Sequence, residues 1–191
     1  MERPNIIDGR LHAPFFIFFR REPVLSDKEI LSRFGLTLHR FAARIPPSST
    51  YAVIADLDGW TMLADDWLYA LWHKSSTRSA IESLAKTRDV MAWSVGDCDK
   101  SFEYCLYKSG KLVRQFKVDS PHFSDQIVAV NFGERLPFES NLLGLEVAIE
   151  EELHGLCSNL GIESIVTQEE LRVYCKPYKS RLDPNAGIRN F

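Results

Sequence analysis

Two hydrophobic rhythms run along the chain, a period of two and a period near three and a half, and the switches between them mark its elements. Phe15 to Arg20 reads FFIFFR, an apolar run with no polar alternation, which predicts a central strand covered on both faces. Ser26-Asp27-Lys28-Glu29 is a capping box. It predicts a helix from Asp27 to Phe34, with Ile30, Leu31 and Phe34 on one face and Gly35 at its end. Leu38, Phe41, Ala42 and Ile45 stand at helical spacing and predict a second short helix, stopped by Pro46-Pro47. Tyr51 to Asp56 predicts a strand, Asp58-Gly59 a turn, and Thr61 to Ala64 a short returning strand. Asp65 or Asp66 is placed to cap a helix reaching His73, and Ser76 or Thr77 to cap the next, with Ile81, Leu84 and Ala85 facing inward.

After Val90 the period of two takes over. Val90 to Val95, Ser101 to Tyr107 and Leu112 to Val118 predict three consecutive strands joined by turns at Gly96 to Asp99 and at Lys108 to Lys111. Ile127 to Phe132 predicts a further strand. Leu142, Leu145, Ile149, Leu153 and Leu156 predict the longest helix of the chain, from Ser140 or Asn141 to about Leu160, with Gly161 ending it. Leu171 to Cys175 predicts a last strand. Met1 to Pro14 shows no clear periodicity, and the segment from Pro177 is polar with the composition of a loosely held tail. The expectation is a single α+β domain: a mainly antiparallel sheet with a central three-stranded meander, packed by helices that include one long C-terminal helix.

Composition narrows the function classes. The 191 residues suit one domain. Hydrophobic residues at 45% suffice for a packed core and argue against disorder. A net charge of −3 gives no reason to expect nucleic-acid binding. No apolar run approaches the roughly 20 residues that span a bilayer. The N-terminus lacks a signal-peptide pattern, so the cytoplasm is the expected compartment. Cys98, Cys105, Cys157 and Cys175 form no C-x-x-C pair, Cys105, Cys157 and Cys175 among apolar neighbours read as buried free thiols, and the five histidines are scattered. No cofactor is expected.

The carboxylates around the Tyr51 to His73 stretch hold the most chemistry. Val53 to Thr61, with Asp56-Leu57-Asp58-Gly59 at its heart, resembles the first motif of haloacid-dehalogenase-like phosphatases. That resemblance implies Asp56 as the nucleophile, Asp58 as acid/base, magnesium at the site, and Asp97 with Asp99 as the later acidic motif. The same residues read without catalysis as a strand end, a turn and a helix cap, and that reading leaves no carboxylate needing a catalytic role.

A different chemistry follows if Asp56, Asp58, Trp60, Asp65, Asp66, Asp97 and Asp99 share one rim. Such a rim would dock a basic protein surface, with tryptophan as anchor and carboxylates for steering. The run from Asp89 to Val118, with Asn131 to Ser140, resembles small bacterial cytoplasmic proteins with a G-D-x-D-x-S-F turn, an L-V-R strand and a G-E-x-L-P-x-E loop. Several proteins of that appearance are immunity proteins, and the resemblance implies a cognate toxin as partner. The sequence thus favours a non-catalytic protein-binding module over a phosphatase, with no nucleic-acid or membrane partner. It does not fix an oligomeric state.

Overall fold

The computed structural model describes residues 4–47, 49–65, 75–96, 101–120, 126–136, 139 and 149–177. Its elements are β1 (Ile6–Ile7), β2 (Arg10–Leu11), β3 (Phe15–Arg20), α1 (Asp27–Arg33), β4 (Arg40–Phe41), β5 (Ser49–Leu57) and β6 (Trp60–Asp65). They continue with α2 (Ser75–Ala85), β7 (Val90–Val95), β8 (Phe102–Lys108), β9 (Lys111–Asp119), β10 (Ile127–Phe132), α3 (Ile149–Asn159) and β11 (Arg172–Pro177). Nine strands form one sheet in the order β10-β9-β8-β7-β3-β6-β5-β11-β4, and every neighbouring pair is antiparallel. β1 and β2 form a separate two-stranded hairpin.

The expected fold class is corrected by this architecture. Among the described residues strand outweighs helix, 44% to 20%, so the protein is mostly β, with three short helices. The long C-terminal helix is not seen. α3 has eleven residues, the same as α2, and its apolar stripe of Ile149, Leu153, Leu156 and Cys157 is complete within that span. Residues 140–148, counted as helix in the sequence reading, lie outside the described residues. The helix expected over Leu36 to Ile45 is replaced by turns and the edge strand β4. A short segment can satisfy either period, and here pairing with Tyr174 and Cys175 of β11 selects the extended form.

β3 sits at the centre of the sheet because it can be covered twice. Phe15, Phe16, Ile17, Phe18 and Phe19 are all 1% exposed or less. Each such side chain contributes about 1.5–3 kcal/mol on burial. Phe16 and Phe18 face one layer with Met62, Trp93 and Tyr104, closed by α3 and the 162–171 segment. Phe15, Ile17 and Phe19 face the other with Leu63 and Ala92, closed by α1 and α2. α1 begins as its capping box requires: the Ser26 hydroxyl accepts from the Glu29 N–H at 3.3 Å, and Glu29 Oε2 accepts from the Ser26 N–H at 2.8 Å. No helix among the described residues is long and apolar enough to cross a membrane.

Candidate functional site

The β5–β6 hairpin turns at Asp58-Gly59, where Gly59 takes a φ of +68° that favours glycine. Asp56 lies one residue before this hairpin's closing pair, opposite Thr61. Its carboxylate accepts from Arg172 Nη1 at 3.1 Å and from the Thr61 hydroxyl at 3.4 Å, and Arg21 Nη2 lies at 3.6 Å. Arg172 is held in turn by Asp27 on the first turn of α1, through Nε at 2.6 Å and Nη2 at 3.1 Å. The Tyr174 hydroxyl donates to the same Asp27 carboxylate. Burial works against the Arg172 charge, but Asp27 and Asp56 outweigh it and hold its pKa above the ordinary value. Burial and then Asp27 push the Tyr174 phenol up to about 12. This cluster ties α1 to β5 and β11 across 145 positions of sequence.

The other carboxylates of the proposed rim stand elsewhere. Asp58 is exposed at the hairpin tip. Trp60 is buried on the α3 side of the sheet, with the Arg20 guanidinium 4.3 Å from its ring centroid. Asp65 is buried at the opposite end of β6, roughly 16 Å along the strand at about 3.3 Å per residue. Asp66, Asp97 and Asp99 lie outside the described residues, as does the helix expected to end at His73. The structure therefore brings Asp56, Asp58 and Trp60 to one hairpin, where Arg21 and Arg172 counter the Asp56 charge and Arg20 covers the Trp60 ring, and sets Asp65 apart.

The phosphatase pattern requires its first aspartate at the end of a parallel strand. Here β5 is antiparallel to both of its neighbours, β6 and β11. Among the described residues no cluster of His, Cys, Asp and Glu is arranged to hold a metal ion.

β11 has a second face. Arg172 and Tyr174 point toward Asp27, while Leu171 and Val173 line a cleft of about 270 Å³ shared with Pro4, Phe41, Ala42 and Arg44. Gln168 closes its back by donating to the Pro4 carbonyl at 2.9 Å. The Ala42 N–H donates to the Val173 carbonyl at 2.9 Å, fixing the chain where β4 ends. Phe41 borders the cleft from β4, while its ring, 67% exposed, turns to the opposite face and lies edge-on to its cross-strand partner Tyr174 with ring centroids 5.9 Å apart. The sequence reading missed this cleft, because it placed Phe41 and Ala42 in a helix rather than in an edge strand against β11. The available signal was the alternation in Leu171-Arg172-Val173-Tyr174, which sets two apolar and two hydrogen-bonding side chains on opposite faces.

A second charged centre was also missed, although both halves lay in the motifs described above. Arg114 of the L-V-R strand is 2% exposed and forks onto Glu139 of the G-E-x-L-P-x-E loop, Nε at 3.0 Å and Nη2 at 2.7 Å. Its Nη1 donates to Asn131 Oδ1 at 2.7 Å and to the Phe132 carbonyl at 2.9 Å. The Leu136 N–H and the Arg135 side chain donate to Glu139 as well. Burial acts to raise the Glu139 pKa, yet the hydrogen bonds from its partners leave it below the ordinary value. Gly133 is required here: a Cβ would come within 2.0 Å of the Val113 carbonyl oxygen. The two motifs are therefore one buried ion pair that folds the loop onto the sheet.

Under α3, His154 contacts Phe16 and Trp93 edge-on and shares a 2.9 Å hydrogen bond with Ser164. Burial lowers its pKa to about 4, so the ring is neutral near pH 7. Cys105, Cys157 and Cys175 are buried and not joined in disulfides, and burial pushes the Cys105 and Cys157 thiols up to about 12. Comparison with family models, with characterised proteins and with solved structures finds no match to this chain.

Proposed function

We propose that this protein works by binding another protein, in the manner of an immunity protein that covers the active site of a bacterial toxin. The observation that carries this reading is the β4 edge, where the exposed Phe41 borders the Leu171–Val173 cleft. At about 270 Å³ the cleft falls below the ~300–1,000 Å³ usual for small-molecule sites. Its size suits one or two anchoring side chains of a protein partner, the arrangement that concentrates binding energy at interfaces. The Asp27–Arg172–Asp56 cluster braces the rear face of the same strand, which favours a cleft formed before a partner arrives. The net charge of −3 and the exposed Asp58 favour a basic partner surface through steering.

The reading is tested by co-expressing the protein with a toxin encoded beside its gene. Wild-type protein is expected to restore growth, and Phe41→Asp to lose most of that protection while melting at the wild-type temperature. Equal protection by Phe41→Asp removes the β4 edge from the proposal. Magnesium-dependent hydrolysis of a phosphate monoester, present in wild type and absent in Asp56→Asn, would replace binding with catalysis as the function.

A further inference from the structure

The two edges of the large sheet end differently. β4 is a two-residue strand, too short to offer a ladder. β10 is six residues, Ile127–Phe132, with one neighbour among the described residues, β9. Its sequence IVAVNF has no charge and no proline, the features that usually keep an edge strand from pairing. Ile127 is 55%, Val128 40% and Phe132 51% exposed. Three large apolar groups in one solvent-facing strand, along a backbone edge with no further strand partner among the described residues, call for a covering strand.

The bulge between Val128 and Val130 decides which strand fits. Five positions separate Ile127 from Phe132, so a regular strand would put them on opposite faces. The extra residue brings them to one face: Ile127 pairs with Asp119 and Phe132 with Gln115, and both partners lie on the same side of β9 as Lys117. Val128 and Asn131, opposite Val118 and Phe116, share the other face.

We propose that β10 pairs antiparallel with β10 of a second copy of this chain, about a two-fold axis between Ala129 and Val130. In this register Ile127 meets Phe132 of the second copy, Val128 meets Asn131, and the symmetry repeats both contacts. Each contact joins residues of one face, as a continuous sheet demands, and the Ile127–Phe132 contact is an aromatic–β-branched pair of the kind that stabilises sheets. No like charges are opposed, because the strand has none. Arg114 fixes the strand from beneath by holding Asn131 Oδ1 and the Phe132 carbonyl, which lowers the ordering needed on association. A two-fold interface of this kind is closed, so it ends at the dimer. This inference uses the edge opposite the proposed partner cleft and does not depend on it.

The test is sedimentation of the full chain over a concentration series, for wild type, Ile127→Lys, Phe132→Glu and an equimolar mixture of the two variants. Wild type is expected to dimerise. Each variant alone should associate about ten-fold more weakly, since its substitution enters two symmetric contacts. The mixture should recover the dimer, because a mixed pair sets the introduced lysine against the introduced glutamate and leaves Ile127 against Phe132 at the other contact. Both substituted side chains are exposed, and melting temperatures near wild type check that the fold is retained. Wild type that stays monomeric, or a mixture that associates no better than either variant, overturns the proposal.

Discussion

Arg114 and Arg172 do the same chemistry in different surroundings. Each presents the Nε and Nη2 edge of its guanidinium to one carboxylate and uses Nη1 for further acceptors. The side chains of Arg114 and Glu139 are 2% and 5% exposed. Those of Arg172, Asp27 and Asp56 are 32%, 21% and 35% exposed. Water screens the second cluster and barely reaches the first. A buried pair gains little over an apolar replacement, yet removing one partner leaves an uncompensated charge in the interior. A half-exposed pair loses little in either case. The Arg114 centre therefore behaves as a condition for docking Glu139 and the end of β10 onto the sheet, and the Arg172 centre as a modest brace behind the cleft.

The largest expected effect separates the two. Glu139→Ala or Arg114→Ala should lower stability by about 3–5 kcal/mol in urea titration. The paired replacement Arg114→Met with Glu139→Leu should be less damaging than either alanine. Single substitutions costing under about 1 kcal/mol would erase the contrast.

Next comes pH. The folded pKa of His154 lies below its unfolded value, so the unfolded chain binds the extra proton first as pH falls. Stability is full above about pH 6.5 and is lost as pH drops toward about 4, by at most roughly 3 kcal/mol. Glu139, also depressed, contributes stability above its unfolded value of 4.5 and loses it only below that pH. Stability measured from pH 7.5 to 3.5 should show two limbs. His154→Gln should flatten the upper one and leave the Glu139 limb. An unchanged upper limb in that variant would assign it to another group.

Gly133→Ala should cost at least about 2 kcal/mol, because the residue has a φ of +81° and its Cβ would strike the Val113 backbone. An alanine tolerated there would mean that the loop moves freely, contrary to the grip of Arg114. The smallest effect is at the other arginine. Arg172→Ala should cost about 1 kcal/mol and Asp56→Asn less. A double-mutant cycle on Asp27 and Arg172 should shrink in 1 M salt, while one on Arg114 and Glu139 should not. Equal salt sensitivity at both sites would break the distinction.

Much of the local structure was readable in the sequence. The Ser26–Glu29 capping box, the apolar run of β3, the Asp58-Gly59 turn and the alternation of β8 are set by residues within a few positions of each other. Leu38 to Ile45 was misread because four apolar residues at helical spacing say nothing about whether they are buried. Leu38 and Phe41 are exposed, and β11 supplies the pairing. The acidic rim was harder still. Trp60 and Asp65 point to the two faces of β6 and stand at its two ends, and residue type did not separate a core tryptophan from an exposed anchor.

The sequence by itself determined the longer strands, helices α1 and α2, and the turns at Asp58-Gly59 and Ser109-Gly110, because near neighbours alone satisfy periodicity and positive φ. Only the tertiary structure decided that β11 returns to lie between β5 and β4, and that Arg172 reaches Asp27 across the fold. It also decided that Arg114 and Glu139 share one buried site, and that β10 takes the edge of the sheet. Those outcomes depend on which apolar faces cover one another and which charges must pair once water is excluded, and residues distant in the chain enter both on equal terms.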